Sequence, residues 1–115
     1  VYIEISDFSN HEFHMFTLHY TQLFNDVSNT KIHIIFDTTN LTYISPYQTT
    51  LFVGFLFQMR SIHRLKLKKF AIVVTNDKIK TILDSVFVIV PPVVPHIIET
   101  NIETAATKVK SEDHL

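Results

Sequence analysis

Ser45, Tyr47, Thr49 and Thr50 crowd a short stretch of the chain that begins with a Ser-Pro step. Ser45 followed by Gln48 has the spacing of a capping box, and Pro46 falls at the first helical position, where its missing N–H costs nothing. A helix start is therefore predicted at Pro46. The unpaired N–H groups and positive dipole end of such a helix favour anions, so a phosphate on Ser45 or Thr49 would either sit beside them or block a docked partner by charge and bulk. The plainer reading is that Ser45 only caps the helix; the Ser-Pro step is a weak kinase signal.

Asp37 ends the short apolar run Lys31 to Asp37, and α/β sheets collect ligands at the carboxyl ends of their strands. No glycine-rich loop follows any strand, since Gly54 is the only glycine, so a nucleotide site there has little support. Asp37 is instead expected to fix the next loop through the amides of Thr38 and Thr39, an Asx-type turn. Arg60, His63, Arg64, Lys66, Lys68 and Lys69 gather near the other end of the predicted helix. Cations there complement a helix C-terminus. The competing readings are an acidic protein partner, anionic lipid headgroups or RNA, and the cluster lacks the interleaved aromatics that single-strand binding uses. No nucleic-acid partner is expected.

His11, His14 and His19 invite a metal reading, but His11 to His14 spells H-E-x-H rather than the H-E-x-x-H that sets two imidazoles a full turn apart. They are read as surface histidines. The absence of cysteine removes disulfides, thiolate ligands and a thiol nucleophile. No nucleophile elbow, P-loop or paired acid and base spacing occurs, so neither a cofactor nor an enzymatic activity is expected.

The elements that must hold these residues follow from hydrophobic spacing. Val1 to Ser6 alternates as an edge strand does. Ser9 with Glu12 has capping spacing, and Phe13, Phe16, Tyr20, Leu23, Phe24 and Val27 recur helically to about residue 27. Lys31 to Asp37 reads as a central strand. Leu51, Phe52, Phe55, Leu56, Met59 and Ile62 define the buried face of the second helix; its interior Gly54 implies close packing on the sheet to offset about 1 kcal/mol of lost helix propensity. Phe70 to Thr75 is a further strand, and Asn76 caps a helix through Ile79, Ile82 and Leu83. The run from residue 86 to 95 is apolar, but its prolines argue for an extended connection. His96 to Glu99 is a last strand, and Thr100 with Glu103 caps a last helix through Val109, followed by a fraying tail at 111–115. Such alternation predicts one α/β domain over residues 1–110 with a mainly parallel sheet of four to five strands and right-handed crossovers.

This order, together with the junction Leu41-Thr-Tyr-Ile-Ser-Pro-Tyr-Gln-Thr-Thr50, resembles the STAS domains of the anti-sigma-factor antagonist family over most of the chain. In that family a strand ending in Asp leads through a hydrophobic dipeptide and an Asp-Ser-Ser-Gly-x-Gly run into the second helix. Here Phe36-Asp37 resembles the strand end and Tyr43-Ile44 the dipeptide. Phe70 to Asp77 is similar to the next strand and helix start, and His96 to Ala106 to the final strand and helix. The specific run is altered: Ser45 stands in the Asp place, Pro46 and Tyr47 in the two Ser places, and Gln48 and Thr50 in the two Gly places, so the phospho-acceptor serine is missing. The resemblance implies a layered fold with a mixed sheet, helices mostly on one side, and reversible protein association.

A chain of 115 residues with 46% hydrophobic and 18% charged residues and a net charge of -1 fits a packed globule with no electrostatic bias toward nucleic acid. It carries no membrane-spanning run or leader pattern and is read as cytoplasmic. The leading expectation is a non-enzymatic STAS-like interaction domain that meets a protein partner through Asp37, Thr39, Ser45, Tyr47, Gln48, Thr49 and Thr50. The alternative is a carrier of a lipid or small apolar ligand, suggested by ten Phe and requiring a pocket of about 300 Å3 or more. A protruding 86–95 segment would support a homodimer or peripheral membrane contact.

Overall fold

The computed structural model describes residues 1–26 and 31–110. Val27, predicted to close the first helix, and the tail 111–115 lie outside the described residues. Strands and helices alternate as β1 (Tyr2–Glu4), α1 (Asn10–Asp26), β2 (Ile32–Asp37), α2 (Pro46–Lys66), β3 (Leu67–Val73), α3 (Asp77–Ile89), β4 (His96–Glu99) and α4 (Ile102–Val109). The four strands form one sheet in the order β1-β2-β3-β4, and every neighbouring pair is parallel. When each new parallel strand is added on the same side through crossovers of one hand, every crossover helix must fall on one face. That is why α1, α2 and α3 share a face and only α4, which follows the last strand, covers the other.

Side-chain alternation separates the two layers. Ile3, Ile34, Phe36, Phe70, Ile72 and Ile98 pack toward α1, α2 and α3 in the main core. Ile35, Ala71, Val73 and Ile97 point the other way and pack with Ala105 and Val109 of α4. The main core is unusually aromatic. Rings touch continuously from Phe8 through Phe16 to Tyr20, then through Phe36 to Phe70, and end at Phe87 and His96.

Four local expectations need correction. The first concerns β3, which begins at Leu67 directly after α2 rather than at Phe70 after a turn. Ile32 pairs with Leu67 but His33 with Lys69, so Lys68 is an extra residue in the ladder. One extra residue reverses the facing of everything after it. Leu67 and Phe70 can therefore both enter the main core.

Second, Val86 to Ile89 is the last turn of α3, not an extended connection. The prolines begin only at Pro91, and Val90, the residue a proline drives out of helical geometry, is the helix cap. Third, the α4 cap is Asn101, whose side chain accepts from the Thr104 N–H, in place of Thr100.

The fourth correction is Gly54. It is exposed, and a Cβ built on it meets no atom within 4 Å. No close packing compensates for it. Gly54→Ala should raise stability by about 1 kcal/mol, since alanine restores helix propensity and reduces the freedom of the unfolded chain. Urea unfolding checks this; an unchanged or lowered midpoint refutes it.

Candidate functional site

The β2-to-α2 junction is built outward from Asp37, which is buried at the carboxyl end of its strand. Its Oδ1 accepts from the Thr39 N–H at 3.0 Å and the Thr39 hydroxyl at 2.8 Å. The Tyr2 hydroxyl of β1 donates to its Oδ2. Burial opposes ionisation of Asp37, but the bonds from Tyr2 and Thr39 outweigh it and hold the carboxyl below its usual value. The same contact raises the Tyr2 phenol to about 12, chiefly because its O–H is engaged by the carboxylate. Asp37 is thus a saturated anchor for the loop. The Asx-type turn forms through the Thr39 amide, whereas the Thr38 amide, expected to bond Asp37 as well, donates across the sheet to the Val73 carbonyl; Tyr2, 35 positions away in sequence, is a further donor.

The loop itself is tied down at several points. Thr38 donates from both its N–H and its hydroxyl to the Val73 carbonyl, at 2.9 and 2.8 Å. Asn40 Nδ2 donates to Glu4 Oε2 at 2.8 Å. Leu41 and Ile44 are buried in the main core. The pair Tyr43-Ile44 is therefore split: Ile44 turns inward, while Tyr43 is 68% exposed.

At the start of α2 the capping box is complete. The Gln48 N–H donates to Ser45 Oγ at 3.1 Å, and the Ser45 N–H donates to Gln48 Oε1 at 2.9 Å. Thr49 and Thr50 return their hydroxyls to the carbonyls of Ser45 and Pro46 at 2.9 and 3.1 Å. Ser45, Gln48, Thr49 and Thr50 thus bond within the helix start. Tyr47, at 63% exposure, projects from it. The outward-facing apolar surface at this edge is Tyr43 with Tyr47. Tyr47 is legible in the sequence as a site residue, but Tyr43 is not, because spacing alone does not say which member of the apolar dipeptide Tyr43-Ile44 turns inward.

The basic cluster does not form one surface. Lys66 Nζ donates to the Phe24 carbonyl at 2.6 Å, closing the end of α1. Lys69 Nζ donates to the Lys108 carbonyl at 2.9 Å, on the α4 side of the sheet. Arg64 and Lys68 are exposed. The direct passage from α2 into β3, with its extra residue, sends these side chains in different directions. His63 faces inward, its Nε2 lying 2.8 Å from the Tyr20 hydroxyl.

His11, His14 and His19 are exposed on α1, and among the described residues no three His, Cys, Asp or Glu are grouped to hold a metal. The 86–95 segment is divided. Val86 and Val90 are buried, whereas Val88 and Ile89 are 81% and 58% exposed. An apolar slot of about 80 Å3 is lined by residues of α1, α2, α3 and the sheet together with Val90 to Val94. That volume is well below the roughly 300 Å3 of ordinary small-molecule pockets. No helix of the described residues is long and apolar enough to cross a membrane.

No protein-family model matches the sequence, and neither a curated protein nor a solved structure matches it.

Proposed function

We propose that this domain is a non-enzymatic interaction module that docks a protein partner on the β2-to-α2 junction. The observation that carries this reading is the pair of exposed tyrosines, Tyr43 and Tyr47, on a rigidly bonded loop and helix start. Tyrosine buries much area for little rotamer entropy and is enriched among residues that dominate binding energy. A prearranged loop lowers the ordering cost of association. The likeness of the element order and junction to STAS domains supports the same role. So does the engagement of Asp37 by Tyr2 and Thr39, of Ser45 by the Gln48 N–H, and of the Thr49 and Thr50 hydroxyls by backbone carbonyls.

In this reading Asp37 and Thr39 hold the loop, Gln48 and Thr50 hold the helix start, and a phosphate on Ser45 or Thr49 would break the capping bonds. The test compares proteins captured from source cells by the wild type, Tyr47→Asp, Thr49→Asp and the double variant Tyr43→Ala/Tyr47→Ala, with Lys80→Ala on α3 as the control. Loss of one specific partner from the junction variants, by about 30-fold for the double alanine variant, supports the surface. Equal recovery by all the variants removes it.

A further inference from the structure

The sheet ends on one side at β1. The Ile35 N–H donates to the Val1 carbonyl and the Ile5 N–H to the Asp37 carbonyl, both at 2.8 Å. Backbone groups alternate in direction along a strand, so Ile3 also faces β2, while the N–H and C=O groups of Tyr2 and Glu4 face away from it. Such groups on an open edge are a template for one more strand.

A groove of about 550 Å3 is lined by residues 3–7 and by α1, where His11, Met15 and His19 recur at the spacing of one helical face. Consecutive edge residues, of both facings, line it, so it runs along the edge of the sheet rather than over either face. Its volume falls within the range of about 300–1,000 Å3 of ordinary binding clefts. An open strand beside it is what extended peptides use in strand addition. Met15 and Leu23 contribute half-buried apolar surface to the lining. Glu4, Asp7 and Glu12 contribute carboxylates, and no Lys or Arg lines the groove. A second copy pairing through its own β1 would bring the same carboxylates into the same cleft, so the charge selects a partner of opposite sign.

We infer that the groove binds an extended segment of a partner protein in which apolar and basic residues alternate, added as a fifth strand beside β1. The backbone of Tyr2 and Glu4 supplies main-chain bonds, Met15 and Leu23 an apolar wall, and the carboxylates the preference for Lys and Arg. Such a strand of about five residues spans about 17 Å, the length of the edge that lines the groove.

Neither Tyr43 nor Tyr47 lines this groove, so the two surfaces are tested independently. The experiment follows the fluorescence anisotropy of a labelled valine-lysine-valine-lysine-valine peptide titrated with the whole domain. The counterpart with glutamate for lysine should bind about tenfold more weakly. N-methylation of one alternate set of the peptide's amides, and not of the other, should abolish binding, because only one set faces β1. Glu4→Pro removes an outward N–H without touching the β2 ladder and should weaken the lysine peptide about tenfold; Glu4→Gln, which keeps that N–H, should weaken it about twofold. No saturable binding, equal affinity for the two peptides, equal tolerance of both N-methylated sets, or unchanged affinity in Glu4→Pro would each overturn the inference. So would dimerisation through β1, read by analytical ultracentrifugation, in place of peptide binding. The N-methyl comparison stands even if Glu4→Pro does not fold.

Discussion

Phe24→Ala is expected to destabilise the domain by about 3–5 kcal/mol, the usual cost of emptying a buried aromatic site. Phe24 has no exposed surface. Its ring meets Tyr20 edge-on at 5.0 Å and lies 5.6 Å from the His63 ring, so it joins α1 to α2 in the middle of the aromatic core. Its carbonyl accepts from Lys66, which ties the end of the first helix to that of the second. A cavity there cannot collapse easily, because the surrounding rings are themselves interlocked. Against a total stability of about 5–15 kcal/mol for a domain of this kind, such a loss leaves little or no folded protein at elevated temperature. Urea unfolding of Phe24→Ala beside Phe57→Ala checks it. Phe57 is 52% exposed, and its replacement should stay within about 0.5 kcal/mol. Equal losses from the two variants would mean that the core is not centred where the structure puts it.

A second large effect is acid sensitivity through His63. Burial lowers its pKa from 6.5 to about 4, and the ring stays neutral beside the Tyr20 hydroxyl, whose own pKa burial raises. In the unfolded chain this histidine takes up a proton as pH falls through 6.5, while the folded protein resists until about 4. The unfolded state therefore binds more protons between those values, and stability falls as pH falls. The drop in pKa corresponds to about 3 kcal/mol; the ring keeps some contact with water, so the expected loss is about 2 kcal/mol. His96, whose pKa is also lowered by burial, adds to the loss with the same sign. His63→Gln cannot titrate and should show a flatter stability profile from pH 6.5 to 4. A slope unchanged from wild type would refute the assignment of this acid sensitivity to His63.

The sequence was most informative where the deciding interaction is local. Ser45, Pro46 and Gln48 specify the start of α2 because a capping box closes within one turn, and it is present with both of its hydrogen bonds. Asn76 caps α3 for the same reason, its side chain accepting from Lys78 and Ile79. Asp37 holds Thr39 across two positions, a contact legible in the residues themselves. Hydrophobic spacing, also a local property, gave the alternation of strands and helices and hence a parallel sheet with crossovers.

What only the tertiary structure decided involves residues far apart in the chain. The Tyr2 bond to Asp37, the Lys66 bond to Phe24 and the Lys69 bond to Lys108 depend on which strands and helices become neighbours. They turn an apparent basic patch into separate fastenings. The extra residue at Lys68 is set by pairing with β2 rather than by any preference of its own. The inward turn of Ile44 and the outward turn of Tyr43 depend on how the loop meets the core. Capping, turn chemistry and periodicity act between near neighbours and can be read along the chain; facing, pairing register and the closure of a slot arise only when distant segments bury their apolar surfaces together.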